Sequence, residues 1–304
     1  MSGAKFLVTG PTGQVGLPVA KALAADNEVW AIARFNDQAD RQDLEGAGVR
    51  CEVVDLVNGD FSSLPDDFTY VLNFGVSKSG TWEGDLDGNA ASVGFLMEHC
   101  RNAAAFLHCS STAVYQPNGH HAFTEDDPLG DNHRVYEAFI PFMQTYSITK
   151  IAAEGMARYG ARRWNLPTTI ARLCVPYGDN GGWPAIHLDM KLGGMPVPVH
   201  TNAPSRYNPI HEDDIIAMIP GLLSIASVPP TVVNWGGEPA TIEEWCALLG
   251  EITGLELETV ATDQTLDSVT VDTSRLQKLV GPTKVDLRDG LQRMVAARHP
   301  ELLR

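Results

Sequence analysis

The sequence predicts an α/β fold, a doubly wound parallel sheet with helices on both faces, followed by a smaller C-terminal region. Three observations lead there. Short β-prone apolar runs alternate with helical segments through the first half. A glycine-rich turn joins the first strand to the first helix. Beyond Gly178 the alternation gives way to loops rich in Gly, Pro and Asn. Alternation of this kind builds βαβ units, whose crossovers cover both faces of a parallel sheet.

The elements follow in order. Residues 5–9 are apolar and β-prone, and 17–25 are helical. Residues 28–33, 48–55 and 70–74 read as the second, third and fourth strands, and 91–104 as a helix. A fifth strand spans 106–110, a long helix 146–164 and a sixth strand 168–173. Loops dominate at 178–182, 193–198 and 202–209. Thr241 followed by Glu244 forms a capping box that opens a helix over 242–249. We expect one part over residues 1–178 and another over 179–304, with the chain free to cross between them.

Composition bounds the function. A chain of 304 residues with 44% hydrophobic and 20% charged side chains buries a full core. Its net charge of −16 makes nucleic acid and anionic membrane surfaces poor partners. A few local groups still suffice to hold a phosphate. No apolar run reaches the roughly 18 residues of a spanning helix, and Met1 to Lys5 lead into the first strand without an apolar signal region. Cys51, Cys100, Cys109, Cys174 and Cys246 are odd in number and never in CxxC spacing. Free thiols in a reducing cytoplasm are therefore expected, with no zinc site. Gly119-His120-His121 lacks ligand partners at useful spacing and reads as a solvated loop.

The turn Gly10-Pro11-Thr12-Gly13-Gln14-Val15-Gly16 lies between a strand and a helix. There glycines let the backbone turn sharply and approach a pyrophosphate, and the helix N-terminus adds free N–H groups. Gly10, Thr12, Gly13, Gln14, Val15 and Gly16 are thus candidate dinucleotide contacts. The second strand ends Ile32-Ala33-Arg34, without the carboxylate that usually binds a ribose 2′-OH. Arginine suits a 2′-phosphate instead, so for a nicotinamide dinucleotide Arg34 would favour NADP over NAD.

Tyr146-Ser147-Ile148-Thr149-Lys150 is a YxxxK motif, and its spacing puts both side chains on one helix face. A tyrosine of pKa about 10 is a poor acid or base at neutral pH. A nearby ammonium favours the tyrosinate, so a lowered Tyr146 pKa and general acid–base work at an alcohol or carbonyl oxygen are expected.

With GxxGxxG near its N-terminus and YxxxK in the long helix, the chain resembles the extended short-chain dehydrogenase/reductases, the NAD-dependent epimerase/dehydratase group. The resemblance implies a Rossmann-type fold, a nicotinamide dinucleotide and a C-terminal substrate-binding region. It puts Asp55 and Leu56 at the adenine, Asn73-Phe74-Gly75 under the cofactor, and Asn89 at the opening of the fourth helix as a further cofactor contact. Ser110-Ser111-Thr112-Ala113-Val114-Tyr115 is similar to the family's SS-x-x-VYG segment, with Gln116 replacing its glycine. That register makes Ser111 the catalytic hydroxyl, with Ser110 and Thr112 as runners-up. Lys150 then tunes Tyr146 and anchors the nicotinamide ribose. Arg172 to Gly178, Ile210 to Asp214, Asn234-Trp235-Gly236 and residues 286–294 extend the likeness almost to the C-terminus.

Departures bear on the substrate. Nucleotide-sugar enzymes of this family carry Asn three residues after the motif arginine, where this chain has Val175. They often carry Arg four residues before the histidine, where it has Tyr207, with Arg206 one place earlier. The dehydratases' Thr-Asp-Glu is replaced by Ser111-Thr112-Ala113. Hydride transfer on a smaller or less charged secondary alcohol or ketone is the leading expectation. A nucleotide-sugar epimerase with tightly bound NAD and a non-catalytic dinucleotide-binding regulator are the alternatives. Trp82, Phe139, Phe142, Met143 and Trp183 are candidates to line an apolar pocket, and His133 and Arg134 to contact substrate. The resemblance also implies a homodimer through the helices at 91–104 and 146–164.

Overall fold

The computed structural model describes residues 1–132 and 143–303. Its centre is a sheet of seven parallel strands among the described residues. The strands are β1 (Lys5–Thr9), β2 (Glu28–Ala33), β3 (Arg50–Val53), β4 (Tyr70–Asn73), β5 (Ala105–Ser111), β6 (Thr168–Leu173) and β7 (Thr231–Trp235). Their spatial order is β7-β6-β5-β4-β1-β2-β3. The order reverses beside β1, which puts the crevice for a ligand at the carboxyl ends of β1 and β4.

Strand side chains alternate between faces, and the core divides accordingly. Phe6 and Val8 join a cluster with Val19 and Ala20 of helix α1 (Gly16–Ala24). Leu7 points the other way, into a cluster with Leu96 of α4 (Ser92–His99) and Ala153, Ala157 and Ala161 of α5 (Met143–Trp164). The small alanines let α5 lie close against the sheet. Between β2 and β3 runs α2 (Gln38–Gly46), a polar helix with only Leu44 buried, which sequence periodicity does not reveal.

Beyond Gly178 the chain leaves the sheet, forms α6 (Trp183–Leu192), and returns. Helix α7 (Glu212–Ser224) packs into the α1 cluster, and β7 extends the sheet beside β6. The remaining helices α8 (Ile242–Thr253), α9 (Ser274–Leu279) and α10 (Leu287–Arg298) follow. A separate core of Trp245, Leu249, Leu291, Met294, Leu188 and Tyr177 holds the C-terminal layer together. The expected capping box at Thr241 and Glu244 is present, and its helix runs on to Thr253.

Several boundaries differ from expectation. The third strand is shorter than residues 48–55, because Asp55 turns the chain by capping a 3-10 turn, Leu56–Asn58. The helix expected over 91–104 starts earlier, as a π turn Asp87–Ala91, and ends at His99. The seventh strand was not expected at all. Among the described residues no helix is long and apolar enough to cross a membrane, and none of the five cysteines is in a disulfide.

Candidate active site

The glycine turn is shaped by contact. Gly10 adopts φ +63°, and a Cβ there would lie 2.8 Å from the Phe74 carbonyl oxygen. A Cβ on Gly16 would meet the Gly10 carbonyl oxygen at 2.2 Å. Gly13 is exposed and closes the turn by donating to the Gly10 carbonyl at 3.1 Å. The backbone N–H groups of Thr12, Gln14 and Val15 have no acceptor among the described residues. The first turn of α1 carries neither an acidic residue nor a side-chain cap. A cradle of free donors at a helix N-terminus fits a pyrophosphate. The Gln14 side chain is engaged elsewhere, donating to the Pro176 carbonyl, while Asn180 donates to the Gln14 carbonyl.

The floor of the crevice is a polar ladder across β1, β4 and β5, where Thr9, Asn73 and His108 are in register. Thr9 donates to Asn73 Oδ1 at 2.6 Å and accepts from the Gly75 N–H at 2.9 Å. Asn73 Nδ2 donates to His108 Nδ1 at 3.1 Å, which leaves the imidazole proton on Nε2, a buried atom without a partner among the described residues. Burial and the Lys150 charge hold the His108 pKa well below its usual value, so the ring is neutral. Phe74 is buried, and Gly75 meets Leu56, whose Cδ1 would lie 2.8 Å from a Cβ there. Asp55 is half-buried and bonds to the Val57 N–H. Arg34 is exposed just past β2, with no hydrogen bond or ion pair among the described residues. The nearby Arg41 is already committed to Glu45 and the Cys51 carbonyl.

The three candidate hydroxyls at the end of β5 have different partners. Ser110 is buried and donates to Glu154 at 2.7 Å. Thr112 is buried and bonds toward Cys174. Ser111 alone of the three shares a hydrogen bond with the Tyr146 hydroxyl, and it also caps the turn Thr112–Val114. Lys150, one helical turn on, is buried and donates to the Cys109 carbonyl at 2.7 Å. Burial lowers its pKa. The expected depression of the Tyr146 pKa is not met. Burial pushes it up to about 12, and the Ser111 bond only partly offsets this.

Behind the site lies a buried ion pair. Arg172 donates Nε to Glu154 Oε1 at 2.9 Å and a second nitrogen to Oε2 at 2.8 Å. The same guanidinium reaches the Tyr115 hydroxyl at 3.0 Å and the Glu125 carbonyl at 3.1 Å. Tyr115 in turn donates to Asn234 of β7. Burial disfavours the Arg172 cation, but the Glu154 bonds more than offset this and raise its pKa above the usual value.

A model of the NAD dependent epimerase/dehydratase family matches residues 6–236. The chain belongs to that family. No curated protein matches it in sequence. Among solved structures, a UDP-glucuronic acid 4-epimerase from Bacillus cereus in complex with UDP-glucuronic acid and NAD superposes with a TM-score of 0.81 at 20% identity, covering 96% of this chain and 98% of that one. A UDP-N-acetylglucosamine 4-epimerase from Methanobrevibacter ruminantium gives 0.83 at 17% identity, covering 99% and 100%. A dTDP-glucose 4,6-dehydratase from Streptomyces venezuelae with NAD bound gives 0.81 at 19% identity, covering 97% of each chain. At such identities the likeness is one of fold.

Other candidates of this epimerase/dehydratase chain fall differently. Asn89 is buried in the π turn and bonds to both backbone groups of Ser77 and to Thr149. Trp82 is half exposed at the start of α3 (Trp82–Leu86), and Trp183 packs edge-on against Tyr207. His133, Arg134, Phe139 and Phe142 lie outside the described residues, as does the Met143 side chain. His121 pairs with Asp127, and no group of three metal-ligating residues occurs among the described residues. Sequence reading missed Asp85, Glu154 and His108. Only a polar residue at an otherwise apolar strand or helix position hinted at the last two.

Proposed function

We propose that the chain binds a nicotinamide dinucleotide along the Gly10–Gly16 turn and moves a hydride between it and a secondary alcohol or ketone. The observation that carries this is the Ser111–Tyr146 hydrogen bond at the carboxyl end of β5, with Lys150 bonded to the Cys109 carbonyl and the turn's free N–H groups at the same edge of the sheet, past β1. When bound, the cofactor supplies or accepts the hydride. Tyr146 moves the proton at the reacting oxygen, Ser111 orients that oxygen, and Lys150 steadies the tyrosine's surroundings and reaches the nicotinamide ribose. Asp55, Leu56, Asn73, Phe74, Gly75 and Asn89 line or support the dinucleotide. Free Arg34 supports NADP over the NAD of the similar solved structures. Residues 1–178 hold the cofactor and 179–304 the substrate, with 212–235 as the crossing. Free buried thiols suit a reducing cytoplasm. Exposed Phe95 on α4 and Tyr159 on α5 support a homodimer through these helices.

The substrate we assign is not a nucleoside diphosphate sugar. Val175 offers no polar group, and Tyr207 is 2% exposed with its hydroxyl spent on the Leu266 and Asp267 carbonyls. The likeness to nucleotide-sugar 4-epimerases favours the second reading, epimerisation without net redox change. A panel of ketones, secondary alcohols and UDP-sugars, assayed with all four nicotinamide cofactors, separates the two. Net nicotinamide absorbance change is expected from hydride transfer, and a new sugar epimer without it from the second reading. Tyr146→Phe is expected to lower turnover at least about a hundredfold. Near-normal turnover in that variant refutes the role given to Tyr146.

A further inference from the structure

We infer that Asp85 is a positioning residue for Tyr146, clasping the loop of residues 77–81 to the first turn of α5. The inference rests on the reading of Tyr146 as the acid–base group.

Asp85 is fully buried in the short helix α3. Its Oδ1 accepts from the Ser77 hydroxyl at 2.9 Å and the Ser79 N–H at 2.7 Å. Its Oδ2 accepts from the Gly80 N–H at 3.2 Å and the Thr145 hydroxyl at 2.6 Å. None of the ion pairs among the described residues includes it. A buried carboxylate without a cation persists only when hydrogen bonds fill its oxygens. Here burial pushes the pKa up, and the bonds from Thr145, Ser79 and Ser77 bring it below the usual carboxylate value. All four donors are therefore organised around a charge, and three come from the loop while the fourth comes from the catalytic helix.

Thr145 immediately precedes Tyr146. One helical turn beyond Asp85, Asn89 repeats the link. It accepts from the Ser77 N–H at 2.7 Å and donates to Thr149, which immediately precedes Lys150. The loop rests on a strip kept free of side chains by Gly84 and Gly88. A Cβ on Gly84 would lie 2.7 Å from Ser79 Oγ, and one on Gly88 would lie 2.4 Å from Ser77 Cβ. Upstream, the loop starts from Gly75, already bonded to Thr9 beneath the glycine turn. Asp85 thus fixes the distance between the dinucleotide turn and Tyr146 without touching either ligand. It acts through Thr145.

Hydrogen–deuterium exchange over residues 77–80, in the full chain, tests the clasp with Thr145→Val and Thr145→Ser. Valine keeps the volume and removes the donor, and serine restores it. Thr145→Val is expected to speed exchange of the Ser79 and Gly80 amides about tenfold or more, the scale of a bond to a charged group. In the same variant kcat, measured with the panel compound that is turned over, is expected to fall about tenfold with KM unchanged. Thr145→Ser is expected to return both to normal. Unchanged exchange in Thr145→Val, a serine variant that behaves like valine, or faster exchange with unchanged kcat overturns the inference. Asp85→Asn, which places an amide against the same donors, gives a second reading of the same two quantities. Exchange requires no substrate, so failure of the hydride-transfer reading is seen separately, in the turnover of Tyr146→Phe.

Discussion

Replacing Glu154 by glutamine removes a negative charge from the centre of a buried network while leaving the volume almost unchanged. Both partners are 2% exposed at their side chains, so water cannot take over the role of the lost charge. Arg172 would keep its contacts to Tyr115 and the Glu125 carbonyl but lose the carboxylate that holds both arms of its guanidinium. Breaking a buried pair in this way costs about 3–5 kcal/mol, because the remaining charge is uncompensated. For a chain of this size roughly 2 °C of Tm follows each kcal/mol, so a fall of roughly 6–10 °C is expected. Urea unfolding and calorimetry of the Glu154→Gln variant measure it. The double variant Glu154→Met with Arg172→Met removes both charges and is expected to cost less than either single change. A Glu154→Gln loss under about 1 kcal/mol, or a double variant worse than both singles, refutes the reasoning. The pair would then be an ordinary polar contact.

Three further outcomes follow from particular residues. Arg34→Ala is expected to weaken NADPH roughly tenfold to a hundredfold and NADH little, the worth of a charge-assisted contact; fluorescence titration with each cofactor decides, and equal losses count against the 2′-phosphate contact. Val175 holds φ +36°, a conformation that costs a β-branched residue about 1–2 kcal/mol. Val175→Asn, at a half-buried position, is therefore expected to leave Tm unchanged or raise it, and a Tm loss of several degrees by calorimetry speaks against strain there. His187 accepts from the Trp245 indole at 2.9 Å, and burial lowers its pKa to about 4. Its folded pKa lies below the unfolded one, so the unfolded chain takes the proton first and stability falls as pH drops from about 6.5 to about 4. That contribution reaches about 3 kcal/mol, and His187→Gln is expected to flatten the acid limb of the unfolding curve.

Much of the sheet was legible because its signals are local. Strands such as Lys5–Thr9 and Thr168–Leu173 are short apolar runs between turn residues, and they fall where the pattern puts them. The glycine turn and the Tyr146–Lys150 spacing are equally local. What stayed hidden depends on residues far apart in sequence. Glu154 and Asp85 look like surface carboxylates on helices until Arg172, Ser110 and Thr145 are brought to them. Ser110 and Ser111 both bond side chains of α5, and which of them meets Tyr146 rather than Glu154 is a matter of tertiary packing that spacing alone left open. The raised Tyr146 pKa was missed for the same reason. The motif supplies an ammonium four residues away, but the fold directs it to the Cys109 carbonyl and buries the phenol.

The place of β7 beside β6 has a consequence during synthesis. Strand Thr168–Leu173 can pair with β5 as soon as it emerges, but its outer edge stays open until Thr231–Trp235 arrives about sixty residues later. At 5–20 residues per second that is roughly 3–12 s of exposure for an unpaired strand edge. Asn234, which accepts the Tyr115 hydroxyl and bonds the Phe123 carbonyl, comes on the same late strand. The nascent chain therefore passes through a stage in which the glycine turn, Tyr146 and Lys150 have all been made, while Arg172 and Tyr115 still lack the strand that covers them. Factors that shield unpaired strand edges would matter most in that interval, before the last quarter of the chain has been translated.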